Sequence, residues 1–398
     1  MTNEGVAACS SSACEHRPTA GSVEIAGERA WFCLPSLREG QGAFQLFSEG
    51  DELYDAMISA IESAQRDIGM ESYIFAPDEV GRRFAAALAA KARDGVNVRL
   101  HLDAFGSKIP AFAAIRGELE RAGVRFKWFH PFRWLRPFAY VQRNHRKLLV
   151  VDSRYAFLGG FNIRRLNSRK LSGEGRQRDT HVRVPAELAR VASLLFDRLW
   201  NDATPIGPEA IPETPTGLEA LLVPSYSRRC RQRLACLHAG LIAGAQRYLA
   251  FTSAYFAPGA LVETALRNAA RRGVAVRLLV PHTGDPPVAG WATRAAYEPL
   301  LLAGARVYEY LARQLHAKTF VVDGEWAVIG SANLDHLSLF VNQELVLIAR
   351  DRTLAEALRT HHEQDIQAAA QVTLDQWRLR GWRERFLEIL GWAARWFL

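Results

Sequence analysis

The 398-residue chain is 49% apolar, enough for two domains or one two-lobed unit with substantial cores, so marginal stability from small size is excluded. Its 50 Lys and Arg against 42 Asp and Glu give a net charge of +8, which favours anionic partners: anionic lipid, a phosphodiester or nucleic acid. The five cysteines, Cys9, Cys14, Cys33, Cys230 and Cys236, are odd in number and lack Cys-x-x-Cys pairs, which argues against a disulfide framework or structural zinc and for reduced thiols.

Residues 1–22 lack the basic start and apolar stretch of a secretory signal and read as a mobile tail, which points to the cytoplasmic side. A first lobe is expected over 23–203. Within it Glu71–Phe75 reads as a strand, Asp78–Arg93 as an amphipathic helix closed by Gly95, and Val96–Leu102 as a second strand. Leu119–Phe126 then gives a helix end, a glycine and another strand. Residues 204–217 are too rich in proline and glycine for a helix or central strand and read as a linker.

The second lobe, 218–364, repeats the first. Thr252–Phe256, Pro258–Arg272, Gly273, Val274–Val280 and Leu301–Val307 follow the same β-α-β-α-β order, which makes each half an α/β sandwich. Residues 365–398 read as an amphipathic helix: Trp382, Phe386, Ile389, Leu390, Ala393, Trp396 and Phe397 recur near helical spacing, with Arg383, Arg385, Glu388 and Arg395 on other faces. That stripe suits either a membrane surface or docking on the body. No stretch has the length of uncharged apolar sequence that a spanning helix needs.

Each half ends in the same constellation. His145, Lys147, Asp152, Gly159 and Asn162 are matched by His316, Lys318, Asp323, Gly330 and Asn333, and both spell H-x-K-x4-D-x6-G-[GS]-x-N. The apolar runs after each lysine are expected to put His and Lys at alternate positions of one strand, on one face. A turn at each aspartate then returns the chain and brings the asparagine toward its own pair. One His-x-Lys is unremarkable; two complete copies among only 11 histidines are not coincidence.

This doubled motif is the signature of the phospholipase D superfamily, and the chain is identified as a member on those residues. The resemblance implies two pseudo-symmetric α/β/α sandwich lobes with mixed sheets, and a single active site at their interface. It also implies that Lys147, Lys318, Asn162 and Asn333 bind the non-bridging phosphate oxygens. His145 would attack phosphorus to give a phosphohistidine, and His316 would act as acid and base. Asp179 and Glu344, each opening an apolar strand after its motif, are the candidates for carboxylates that orient the imidazoles. Asp152 and Asp323 complete the candidate catalytic set but are expected to tie down turn backbone or a lysine. No metal or cofactor is expected.

Within the superfamily, residues 44–351 are similar to bacterial cardiolipin synthases of the short type without N-terminal membrane helices. The segments Gly95–Asp103, Ser253–Gly259 and Gly330–Ser338 carry that likeness, while His336 stands where proline is common. The resemblance implies a phosphatidyltransferase that joins phosphatidylglycerol molecules, contacting anionic phospholipid peripherally at the cytoplasmic face of a bacterial membrane. Hydrolysis by the same site is the alternative, and nucleic-acid cleavage the less favoured one. Trp128, Phe129, Phe132, Trp134 and Phe138, interleaved with Arg133 and Arg136, suit rings at headgroup level or core packing equally.

Overall fold

Asp67–Ser72 and Asn97–Asp103 lie parallel in one sheet, and Tyr248–Ser253 and Ala275–Pro281 lie parallel in another. A parallel pair needs a crossover, and the amphipathic helices Glu79–Arg93 and Ala260–Arg271 provide it. Asp78 caps the first, accepting from Gly81 N at 3.1 Å. Both end at a glycine with positive φ, Gly95 at 86° and Gly273 at 92°, where a side chain would be strained.

The computed structural model describes residues 37, 39–40, 43–132, 134, 141–201, 219–225 and 228–397. The expected tail 1–22, the linker 204–217, and Arg133, Arg136 and Phe138 of the aromatic segment lie outside them. Lobe 1 holds β1 (Gln45–Phe47), β2 (Asp67–Ser72), β3 (Asn97–Asp103), β4 (Arg125–Phe129), β5 (Leu148–Val151), β6 (Tyr155–Gly159) and β7 (His181–Val184), in the order β1-β7-β6-β5-β2-β3-β4. Lobe 2 holds β8 (Ala220–Pro224), β9 (Tyr248–Ser253), β10 (Ala275–Pro281), β11 (Arg306–Tyr310), β12 (Lys318–Val322), β13 (Trp326–Gly330), β14 (Leu345–Arg350) and β15 (Ala369–Val372), in the order β15-β11-β10-β9-β12-β13-β14-β8. Read in opposite directions, the two orders match strand for strand, with β15 added. Both sheets are mixed, as the fold reading requires: β2, β3 and β4 run parallel, whereas β5, β6 and β7 pair antiparallel.

Strand periodicity divides the core. Leu149 and Val151 of β5 face a cluster inside lobe 1, while Leu148 and Val150 face a second cluster. In β14 Val346 and Ile348 point into lobe 2, and Leu345 and Leu347 join that second cluster. The second cluster is shared: Leu188, Leu195 and Phe196 of the helix Ala186–Trp200 meet Leu354 and Leu358 of the helix Arg352–Gln367 within it. The lobes are therefore joined by a continuous apolar core, and the motif strands lie along it.

Three expectations are corrected. β2 and β9 begin at Asp67 and Tyr248 rather than at Glu71 and Thr252; Tyr73–Phe75 and Tyr255–Phe256 leave the strand and bend toward the lobe interface, so their aromatic content reflects cavity lining and packing, not strand pairing. Residues 365–398 are not one helix. They finish Arg352–Gln367, supply β15 on the edge beside β11, and then form Leu374–Arg378 and Trp382–Ala394. Finally, Cys236 is disulfide-bonded, so the thiols are not all reduced, whereas Cys230 is buried and outside any disulfide.

The last helix docks on the body through one face and leaves the other exposed. Gly391 lies so close to the helix Pro287–Ala295 that a Cβ would sit 2.4 Å from Ala292 N. Arg380 bridges Glu388 at 3.0 Å and Glu298 at 3.2 Å. Its opposite face leaves Trp382 73%, Phe386 54% and Ile389 66% exposed. Among the described residues no helix is long and apolar enough to cross a membrane.

Candidate active site

Both histidines sit just ahead of a motif strand, in extended backbone that pairs with the other lobe instead of its own sheet. Asn144 bridges Gln343 and Arg178 bridges Leu315, each in parallel. His145 N donates to Gln343 O at 2.9 Å, and His316 N donates to Arg178 O at 2.7 Å. The expectation that His and Lys both lie inside the strand is thus modified: β5 starts after Lys147, and β12 starts at Lys318. The backbone of the motif itself joins the lobes.

The carboxylates cross the same interface. Nδ1 of His145 lies 3.0 Å from Glu344 Oε1, and Nδ1 of His316 lies 2.6 Å from Asp179 Oδ2. Each carboxylate belongs to the lobe opposite its histidine, and both are fully buried. The motif glycine makes this possible by allowing the following strand to approach. A Cβ on Gly159 would lie 2.5 Å from Thr180 O, and one on Gly330 would lie 2.6 Å from Leu345 O. Further bonds fix the acids: Thr180 N donates to Asp179 Oδ1 at 2.8 Å, and Ser331 Oγ donates to Glu344 Oε2.

Around this pair of pairs lie the other sequence candidates. Lys147 Nζ donates to His145 O at 2.6 Å, and Lys318 Nζ donates to His316 O. Ile74 N donates to Asn162 Oδ1 at 3.0 Å, which turns the amide NH2 group to the remaining direction, the cavity. Asn333 Oδ1 is buried without a hydrogen-bond partner among the described residues. Ammonium and amide N–H groups of these types are suited to anionic oxygens.

Burial governs the protonation states. It lowers the His145 pKa, with Lys147 acting the same way and Glu344 opposing. It brings His316 down to about 3, aided by Lys318 and opposed by Asp179. Burial also brings Lys318 down to about 8, against the pull of Asp179 and Glu344. For Asp179 burial opposes ionisation, but His316 and Lys318 outweigh it and hold the carboxyl below its usual value. The same balance, with His145 as partner, holds Glu344 down. Burial thus favours the neutral form of both rings, and the neighbouring cations favour the ionised form of both carboxylates. An imidazole that gives its Nδ1 proton to a carboxylate keeps its Nε2 lone pair available.

The two histidines and two asparagines line one cavity of about 380 Å³ at the lobe interface. Asp152 and Asp323, counted with the catalytic set, are not brought to it, and that assignment is corrected. Asp152 accepts from the backbone N–H groups of Gln65, Arg66 and Asp67 at 2.8–2.9 Å, and Asp323 from those of Gln246, Arg247 and Tyr248 at 2.7–2.8 Å. Both have φ above 50° in the turn after the motif strand. They pin the start of β2 and β9. Sequence reasoning missed Tyr73, Arg143, Arg164, Gln177 and Asp335, which also line the cavity. Tyr73 packs its ring edge-on against His145, 5.0 Å between centroids. The signal available for them was position: Arg143 and Gln177 stand two residues before a site residue, and Arg164 and Asp335 two after one.

Among the described residues no group of three or more His, Cys, Asp or Glu side chains is arranged to hold a metal ion. In comparison with known proteins, residues 57–200 and 239–366 match the family described as cardiolipin synthase, PLD-like domain. Cardiolipin synthase B of Salmonella typhi is 36% identical over 336 residues, 81% of this chain and 79% of the relative. A cardiolipin synthase of Geobacillus kaustophilus (strain HTA426) is 34% identical over 354 residues, 86% of this chain and 70% of the relative. The crystal structure of phosphatidylserine synthase from Haemophilus influenzae Rd KW20 shares the fold with a TM-score of 0.68 at 14% identity, covering 94% of this chain and 99% of that one.

Proposed function

The chain belongs to the cardiolipin synthase family with phospholipase D-like domains, and from that premise we propose that it transfers a phosphatidyl group from one phosphatidylglycerol to another, releasing glycerol. The observation that carries this reading is the crossed arrangement: two imidazoles on one cavity, each backed by a buried carboxylate from the opposite lobe.

In the first step Nε2 of His145 attacks phosphorus, the bond to the glycerol oxygen breaks, and His316 gives that oxygen a proton. In the second, His316 takes the proton of the acceptor hydroxyl as its oxygen attacks phosphorus and the phosphorus–nitrogen bond breaks. Lys147, Lys318, Asn162 and Asn333 hold the non-bridging oxygens as charge builds on them. Glu344 and Asp179 orient the rings and stabilise each when it carries positive charge. Burial favours the neutral ring of His316, and a phosphodiester anion beside it favours the protonated form. Tyr73 packs edge-on against the ring of His145, whereas the counterpart position in lobe 2 is Ala254, which supports unlike roles for the two rings, His145 as nucleophile and His316 as proton carrier.

The protein acts at a bilayer surface. Support comes from Phe105 at 56%, Phe132 at 51% and Trp134 at 88% exposure on lobe 1, and from the outer face of Trp382–Ala394 on lobe 2, rings suited to headgroup level. Deleting 381–398 is expected to weaken co-sedimentation with anionic liposomes.

The deciding assay incubates purified protein with phosphatidylglycerol vesicles and identifies products by mass spectrometry, with His145→Ala and His316→Ala beside it. Cardiolipin and glycerol are expected, and each variant should abolish them. Phosphatidic acid as sole product would make the protein a hydrolase. Activity lost to a chelator and restored by a divalent ion would refute metal independence.

A further inference from the structure

The rim of the cavity is charged unevenly. Arg164 stands two residues beyond Asn162, where Asp335 stands two beyond Asn333; Arg143 precedes His145 where Gln314 precedes His316. All four line the cavity, together with Asp285 from lobe 2. One lobe thus offers cations to the rim and the other offers carboxylates.

The two arginines are not equivalent. Arg143 lies 3.6 Å from the buried Asp103 and over the ring of Phe105 at 5.9 Å. Among the described residues Arg164 has only a neutral side-chain partner, Gln177, to whose Oε1 its Nη2 donates. Its Nε is buried with no partner among the described residues. No carboxylate among them makes an ion pair with it, although Asp179 and Asp285 both act on it from a distance. A guanidinium that lines the cavity and that no described carboxylate pairs is suited to a phosphodiester oxygen.

Joining two phosphatidylglycerol molecules places two phosphates near the site at once. The phosphorus under attack takes the lysines and asparagines. The acceptor lipid carries its own phosphodiester, on the far side of the glycerol whose hydroxyl attacks. We propose that Arg164 binds the phosphodiester of the acceptor, so that this cavity selects a phosphate-bearing alcohol over a neutral one. The proposal rests on the transferase reading above.

The test uses the full chain on phosphatidylglycerol vesicles and reads two reactions. Exchange of labelled glycerol into phosphatidylglycerol needs the donor site and a neutral acceptor; cardiolipin formation needs the phosphodiester-bearing acceptor. Arg164→Gln is expected to cut cardiolipin formation about tenfold or more, the scale of one charged hydrogen bond, and to leave glycerol exchange within about twofold. Intact exchange also certifies the fold, and Arg164→Lys should recover part of the lost synthesis. Equal losses in both reactions, or no loss in either, overturn the assignment. Glycerol exchange that responds to added inorganic phosphate in the wild type and not in Arg164→Gln would mark a site for the free ion and also overturn it. Wild-type protein that yields phosphatidic acid and no cardiolipin defeats the transferase reading itself, before any variant is compared.

Discussion

In lobe 1 the cross-strand row beneath the motif runs Glu71, His101 and Lys127, and in lobe 2 the matching row runs Thr252, Leu279 and Tyr308. Asn144 and Arg146, on either side of His145, correspond to Leu315 and Ala317 around His316. Lobe 2 fills this space with an apolar cluster of Leu279, Tyr308, Tyr310, Leu315 and Ala317. Lobe 1 fills it with buried polar groups: Arg146 Nη1 lies 3.9 Å from Glu71, and its Nε donates to Glu344 O at 3.2 Å, reaching across to the other lobe. The groups proposed to meet phosphate are duplicated, but the supports behind them are not. A phosphate would present similar oxygens to both lobes and so constrain the former. The latter need only fill a volume, and that has more than one solution.

The crossed carboxylates test whether the duplication is functional as well as geometric. Asp179→Asn and Glu344→Gln keep shape and remove charge, so each is expected to lower kcat roughly 10²–10⁴-fold, measured as cardiolipin formed. A variant that keeps most of its rate shows that its histidine needs no carboxylate. Smaller effects are expected one residue past the motif glycine, where the lobes differ. A Cβ on Gly160 would lie 2.0 Å from Asp179 Oδ1, whereas Ser331 donates to Glu344. Gly160→Ser should therefore displace Asp179 and cost about tenfold or more, and Ser331→Gly, losing one hydrogen bond, only severalfold. The reverse ranking would mean that Asp179 tolerates displacement and that the lobes are unequal in the opposite sense.

The lysines offer a comparison by pH. Burial brings Lys318 to about 8, so it is charged below that pH and neutral above it. Phosphate binding should weaken as pH rises past about 8, with kcat/KM falling by up to about tenfold per pH unit. Lys318→Arg keeps the charge at any pH and should flatten that alkaline limb, whatever it does to the maximum. An unchanged limb in the arginine variant would assign it to another group.

Two like lobes were legible in the sequence because repetition is independent of environment: two copies of one spacing show themselves without knowledge of what surrounds them, whereas the mixed sheets and the shared site followed only from the family that the doubled motif resembles. Asp179 and Glu344 were also legible, each at the head of an apolar strand. Their crossing was not, because which lobe a side chain faces is settled by the interface and by the close approach at Gly159 and Gly330. Tyr73, Arg164 and Asp335 were missed since each differs from its counterpart, and self-comparison finds only what is the same. Asp152 and Asp323 show the converse. They are duplicated with the motif, yet they bind turn backbone, so repetition marks structural and reacting residues alike.

The smallest expected effect probes the polar support of lobe 1 alone. Burial pushes the Glu71 pKa up to about 7, with Arg146 and Asn144 opposing, from an ordinary value of 4.5. Between those values the folded chain holds a proton that the unfolded chain has released, so the stability contributed by Glu71 is full below about 4.5 and is lost as pH rises through about 7. Glu71→Gln keeps the shape and cannot ionise. Its melting temperature relative to wild type should therefore climb over that interval and then level off, by roughly 2–4 °C for each kcal/mol involved. Thr252, at the same place in lobe 2, carries no ionisable group, and Thr252→Val should show no such dependence on pH. A Glu71→Gln difference that stays flat with pH would mean that Arg146 holds Glu71 ionised throughout, and the two supports would then differ in polarity but not in response to acid.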